Sequence, residues 1–345
     1  MRAPEPSIAL LLPLLALLFI ACSGGAERQP TPKPSPTATQ PSATPTPKAS
    51  ATPGDCVINA VGTDACGEEK IAFMRFTRDL PDEQVFLINR DGTGSVQLTS
   101  ETGVRERNPR ISPDGKGIAF ARSSGDEPFD IYVMNPDGTG RVNVTDNPGN
   151  DDAPAWSPDG QHIAFMSDRD DQRDIYVMNA DGSGPTRLTD HPGADILPVW
   201  SPDGFRIAFV SDRDGKYRWW VMNADGSDQV VFSDIEVYDP SSPLTALLLQ
   251  GAWNPNGDLF ATAIILPDIA NIITIDPATG QKHSEGGGGA LAPVYCLDFS
   301  VVAAGIFEEK TGLDLLVTSG EGLTTRLTAD PADDIPGSCW VVATP

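Results

Sequence analysis

The sequence predicts an all-β protein, a six-bladed β-propeller built from four-stranded antiparallel blades, and three observations carry that prediction. A block of about forty residues recurs five times from Asn108 onward. No stretch beyond Gly54 keeps a helical period over ten residues. The two ends of the repeated region are fragments that complete each other.

The block is clearest in "NPRISPDGKGIAF" from Asn108, "APAWSPDGQHIAF" from Ala153 and "LPVWSPDGFRIAF" from Leu197, and weaker copies begin at Gln250 and Ala292. Their equivalent positions Pro109, Pro154, Pro198, Gly251 and Pro293 are 45, 44, 53 and 42 residues apart, the period of a four-strand propeller blade. Within each copy, short apolar runs such as "IAF" and "DIYVMN" are separated by Asp-Gly or Asn-Gly turns, the pattern of an antiparallel meander. "SPDG" sets Pro at the second position of a tight turn and Gly at the fourth, and "NADG" closes the next hairpin on the same side. The segment from Lys70 begins at the second strand of the pattern, whereas "DDIPGSCWVV" from Asp333 resembles a first strand with no blade following it. Joining the two closes the ring and removes the exposed sheet edges that an open array would leave.

Ahead of the repeats, Arg2 precedes the apolar run "IALLLPLLALLFIA", which is too short to span a bilayer. Its end, "LLFIAC" followed by "SGG", resembles the lipobox of bacterial lipoproteins. The resemblance implies that residues 1–21 are a signal peptide and that the Cys22 thiol carries a diacylglycerol. Residues 22–54 then run through "QPTPKPSPTATQPSATPTPKASATPG", which offers nothing to bury and reads as a disordered tether reaching up to roughly 80 Å at about 3.1 Å per residue. The propeller is expected over residues 55–345.

Four further cysteines, Cys56, Cys66, Cys296 and Cys339, suggest disulfides in an exported chain, with three pairings open. Cys56 and Cys66 bracket a short local loop. Cys296 and Cys339 each stand three residues after a Pro at one repeat register, so a bond between them would lock the ring at its closure.

The series "P-x-W-S-P-D-G, I-A-F, S-D-R, Y-V-M-N-A-D-G, R-L-T" resembles the propeller repeat of the TolB family, a WD-like repeat also found in the propellers of prolyl-oligopeptidase-type and tricorn-type proteases. The resemblance implies an extracytoplasmic, protein-binding role. No "G-x-S-x-G" elbow is present, and His162, His191 and His283 are scattered through the repeat, so no catalytic residues are assigned.

The formal net charge is −24, and residues 1–54 carry four basic and two acidic side chains, which leaves −26 for the remainder. Nucleic acid is thereby disfavoured as a partner. Three positions before the Pro of each first strand stand Glu106, Asp151, Asp195 and Asp333, which alternation places at the mouth of the central channel, opposite the "SPDG" turns. Such a ring is a candidate site for a basic segment of a protein partner, or for calcium at Asp151, Asp195 and Asp333, although no cofactor is required. The same face receives secondary acidic loops with Asp168, Asp170, Asp171, Asp212 and Asp214. Trp156, Trp200 and Trp253 recur at one register and read as packing residues, while one of Trp219 and Trp220 should face outward.

The expected protein is thus a monomeric, lipid-anchored binding module of the cell envelope without catalytic activity. The alternatives are a propeller lyase or hydrolase acting on carbohydrate or peptide, and a carbohydrate-binding module.

Overall fold

The "IAF" tripeptide dictates the layering. Ile118, Ala119 and Phe120 are wholly buried, as are Ile163, Ala164 and Phe165, and Ile207, Ala208 and Phe209. A strand whose successive side chains are all buried has both of its faces covered. Each such strand is therefore sandwiched between neighbouring sheets, and each buried Phe or Ile contributes about 1.5–3 kcal/mol relative to exposure.

The computed structural model describes residues 69–76 and 82–234 and, beyond them, 236–237, 251–258, 260–266, 269–284, 290–295, 301–306, 313–318, 324–328 and 333–341. Cys22, Cys56, Cys66 and Cys296 lie outside the described residues, as does the side chain of Cys339. The expected signal peptide and tether do so too.

The described residues form four-stranded antiparallel units without a helix. The first holds β1 (Glu69–Phe76), β2 (Glu83–Asn89) and β3 (Val96–Gln97). The second holds β4 (Val104–Ile111), β5 (Ile118–Ser124), β6 (Asp130–Met134) and β7 (Val142–Asn143). The third holds β8 (Asp151–Trp156), β9 (His162–Ser167), β10 (Asp174–Asn179) and β11 (Thr186–Arg187). The fourth holds β12 (Asp195–Trp200), β13 (Arg206–Ser211), β14 (Arg218–Asn223) and β15 (Val230–Val231). Next come β16 (Gly251–Trp253), β17 (Phe260–Leu266), β18 (Ile269–Ile275) and β19 (Lys282–Ser284), then β20 (Ala290–Tyr295), β21 (Val301–Ile306), β22 (Leu313–Thr318) and β23 (Thr324–Arg326). The last strand, β24 (Asp333–Val341), pairs antiparallel with β1 along its length, from Glu69 opposite Val341 to Phe76 opposite Asp333. A single parallel bridge, Glu83 with Arg105, links the first two units.

The turns follow the sequence signals. In "SPDG" the Ser hydroxyl donates to the Asp carboxylate, at 2.6 Å for Ser112 to Asp114 and for Ser157 to Asp159, and at 2.5 Å for Ser201 to Asp203. Gly160 closes its turn at φ 69°, a conformation that excludes most side chains. In the third-to-fourth strand turns Asp91, Asp137, Asp181 and Asp225 each accept the backbone N–H and the hydroxyl of the Thr or Ser two residues on.

The first strands carry a feature that the pattern does not announce. The residue before the Pro adopts a left-handed conformation in three of them, at φ 55° for Asn108, 52° for Ala153 and 55° for Leu197, and pairing with the second strand slips there. The slip is a β-bulge, and it bends each strand just beyond its acidic residue.

Candidate binding face

Glu106, Asp151 and Asp195 sit at the loop end of β4, β8 and β12, where the chain enters from the connecting loop. All three are completely buried. Each is held by an arginine from its own repeat. Arg169 places one nitrogen, Nη2, 3.0 and 3.1 Å from the two oxygens of Asp151, and Arg213 Nη2 lies 2.8 Å from Asp195 Oδ2. Arg122 donates to Glu106 and, at 2.6 Å, to Glu101. Arg141 bridges the same two glutamates at 3.4 and 2.6 Å.

The guanidinium groups of Arg169, Arg213 and Arg122 also lie over aromatic rings. Arg169 is 5.3 Å from the Phe165 centroid and 4.9 Å from Tyr176, Arg213 is 5.2 Å from Phe209 and 4.7 Å from Trp220, and Arg122 is 5.6 Å from Tyr132. Carboxylate, guanidinium and ring thus form a repeated stack in which charge pairing is supplemented by cation–π attraction. Burial still pushes the Asp151 carboxyl above its ordinary value, against the pull of Ser167 and Arg169.

At these three positions the acidic side chains that the sequence places at a channel mouth are buried and paired. The counterions are arginines of the protein itself, and among the described residues no group of three or more His, Cys, Asp or Glu side chains is placed to hold a metal. Asp333 begins β24 opposite Phe76, and its side chain lies outside the described residues. The "S-D-R" motif was the available signal for Arg169 and Arg213. Their partners were hidden because they lie eighteen positions upstream on another strand.

The secondary acidic loops are divided between internal bonds and solvent. Asp168 accepts both the backbone N–H and the side-chain amide of Asn150, at 2.6 and 2.9 Å, and Asp212 accepts the N–H of Ala194 at 2.7 Å. The two carboxylates thereby tie a second-to-third strand hairpin to the loop that delivers the buried Asp. Asp170 accepts the Tyr176 hydroxyl and Asp214 pairs with Arg218. Asp171, at φ 71°, is exposed at the hairpin tip. Gly149 and Gly193 let loop and hairpin touch, since a Cβ on either would stand 2.7 Å from the Cα of Arg169 or Arg213.

The face is acidic all the same, but through its exposed loops. Glu101, Glu127, Asp146, Asp171, Asp190 and Asp214 are exposed there, against Arg173 and Lys216. A cleft of about 490 Å³ opens between the β5–β6 hairpin and the loop before β8, with Ser123, Glu127, Asp130, Tyr132 and Asp146 among its walls. Of the three histidines, His162 opens β9 on the "SPDG" side, His191 lies in the loop before β12 and His283 falls in β19.

The tryptophans resolve as latches between sheets. Trp156 Nε1 donates to the Arg110 carbonyl of the preceding sheet at 3.0 Å, and Trp253 Nε1 to the Val199 carbonyl at 3.2 Å. Trp200 holds the same register, yet its buried N–H has no partner among the described residues. The outward-facing Trp expected from strand alternation is also corrected. Trp219 is fully buried and donates to Thr262 Oγ1 at 2.9 Å, while half-buried Trp220 is the ring beneath Arg213. The next sheet and the arginine cover the two faces that alternation alone leaves open.

The TolB β-propeller domain model matches residues 65–172 and 152–246. The Tol-Pal system protein TolB of Alcanivorax borkumensis is 41% identical over 63 residues, 18% of this chain and 14% of that protein. Dipeptidyl-peptidase 5 of Porphyromonas gingivalis is 44% identical over 62 residues, 16% of this chain and 9% of that protein. The chain thus spans less than a fifth of the length of either relative. Among solved structures, TolB from Acinetobacter baumannii superposes with a TM-score of 0.64 at 19% identity, over 80% of this chain and 68% of that one, a likeness of fold. With the family match extending over more than half of its length, the chain belongs to the TolB β-propeller family.

Proposed function

We propose that this protein is a lipid-anchored, extracytoplasmic binding module whose acidic loop face captures a protein or peptide bearing a basic segment. The single observation that carries the reading is the pinning of that face. Asp168 and Asp212 bond the loops before β8 and β12 to the neighbouring hairpins, and Arg169 and Arg213 fix the same loops from below. Loops held in one arrangement bind without first losing conformational entropy, and an acidic rim steers cationic partners.

In this reading six four-stranded blades surround one axis, with β24 completing the blade of β1 and closing the ring. Cys22 carries the lipid, the Pro/Thr-rich tether holds the propeller off the membrane, and the chain acts as a monomer without catalysing a reaction. Membership of the TolB family supports an envelope protein-binding role at a coarse level.

The second reading, a peptide-cleaving or carbohydrate-cleaving propeller enzyme, is favoured by the short, high-identity match to a dipeptidyl-peptidase. Crosslinking and pull-down from intact envelopes distinguishes them. The wild-type chain should capture a discrete partner, and neutralising Asp171, Asp190 and Asp214 together should abolish capture. Turnover of peptide or glycan by the purified chain would overturn the binding reading. Detergent-phase partitioning lost in Cys22→Ala would support the anchor, and unchanged partitioning would refute it.

A further inference from the structure

Asp151 and Asp195 hold one register in neighbouring repeats, yet they are not equally satisfied. Both oxygens of Asp151 are engaged by Arg169, and the side-chain amide of Asn147 donates to Oδ2 as well. At Asp195, Arg213 reaches Oδ2 alone, and Oδ1 is buried with no hydrogen-bond partner among the described residues. A buried carboxylate oxygen without a donor is costly, and its persistence points to a donor from elsewhere.

One difference between the repeats is the cause. The loop before β8 reads Asn147-Pro148-Gly149, and the loop before β12 reads His191-Pro192-Gly193. Asn147 uses its oxygen to accept the Gly149 N–H at 2.9 Å and its NH2 to reach Asp151, serving both ends of the loop. His191 accepts the Gly193 N–H on Nδ1 at 3.1 Å. A neutral imidazole that accepts on one nitrogen carries its only N–H across the ring, on the other. The donor that blade-like symmetry would aim at the carboxylate is therefore missing from the fourth sheet.

We infer that Asp195 is the anchor for a cationic N–H group, the lysine or arginine side chain of a bound segment, which takes at Oδ1 the place that Asn147 takes at Asp151. The inference rests on the loop face being the binding surface. His191 and Pro192, in the loop that leads into β12, are exposed, and His191 is bonded to the Gly193 N–H. Exposed Asp190 precedes the loop, exposed Asp214 lies in the facing hairpin, and Asp212 of that hairpin is bonded to Ala194. Of the basic groups nearby, Arg213 is committed to Asp195, Gln229 and the Trp220 ring, and Arg173 offers its backbone carbonyl to the Asp195 N–H at 2.8 Å. Among the described residues no second arginine reaches Oδ1.

The variant His191→Asn tests this, because it copies the neighbouring repeat, leaves the charge of neutral His191 unchanged and supplies the internal donor. Fluorescently labelled hexalysine, hexa-arginine and hexaglutamate would be titrated into the full chain and followed by anisotropy. The basic peptides should bind saturably and hexaglutamate should not. His191→Asn should weaken the basic peptides on the order of tenfold, the scale of one charge-assisted hydrogen bond, while its Tm stays at or above wild type. Equal affinity in the two proteins, or no saturable binding to wild type, would overturn the inference. Partner capture from envelopes reads the face separately: capture retained by His191→Asn with unchanged peptide affinity sinks the Asp195 anchor alone, whereas absence of any capture sinks the binding reading beneath it.

Discussion

Arg169 holds both carboxylate oxygens of Asp151 with a single nitrogen while its guanidinium lies 4.9 Å from the centre of the Tyr176 ring. Replacing Arg169 by Ala leaves a fully buried carboxylate without its cation, which should cost about 3–5 kcal/mol. The companion change Asp151→Asn should cost less, because the lone cation it leaves is partly exposed. Urea unfolding of both single variants and the double variant measures the coupling. Additive losses would show that the pair is not a unit.

A glycine contrast tests the pinning of the loops. Gly149→Ala and Gly193→Ala would set a methyl 2.7 Å from the backbone of the facing hairpin, whereas Gly103 and Gly125 have open space and only a positive φ of 75° and 62°. Ala at the first pair should destabilise by more than the roughly 1 kcal/mol expected at the second. Thermal denaturation of the four variants decides it.

The tryptophan latches make a third comparison within one chain. Trp156→Phe removes the bond to the Arg110 carbonyl, whereas Trp200→Phe removes an N–H that has no partner among the described residues. The first should cost about 1 kcal/mol more than the second at similar packing loss, and chemical denaturation would show the order.

Acid stability should fall in a defined window. Hydrogen bonds from Thr93, Thr139, Ser183 and Ser227 hold the carboxyls of Asp91, Asp137, Asp181 and Asp225 below their ordinary value of 3.8. Their folded pKa is the lower one, so their contribution is present above pH 3.8 and is lost as pH falls through the folded values beneath it. Asp151 and Asp174, raised mainly by burial, act in the opposite sense: what they contribute is greatest at low pH and fades as pH rises past 3.8 through their folded values. Tm should therefore drop steeply only below about pH 4, and replacing the four turn aspartates by Asn should flatten that limb.

The repeat period, the turn residues and the buried "IAF" strands were legible because each follows from local chemistry that returns at a fixed spacing. The acidic residues at the strand entries were legible as positions but not as states. Whether Asp151 meets solvent or Arg169 depends on a hairpin eighteen residues away folding back onto its loop, and a charge count cannot express that. Trp220 escaped for the same reason, since alternation assigns a direction to a side chain without saying what lies there. The difference between Asn147 and His191 is visible in the sequence, but it acquires meaning only once Asp195 is seen to lack what Asp151 has.

The pairing of β24 with β1 sets an order of events for the growing chain. Strand partners for the middle sheets lie within a few dozen residues of one another, so those sheets can zip up as the chain emerges. β1 must wait for almost everything else. Until Val341 has emerged, Ile71 and Phe73 lie on a strand edge that its partner has not yet covered. The first sheet is thus the last to be finished, and it is the place where a stalled or truncated copy would be recognised by chaperones or stick to another.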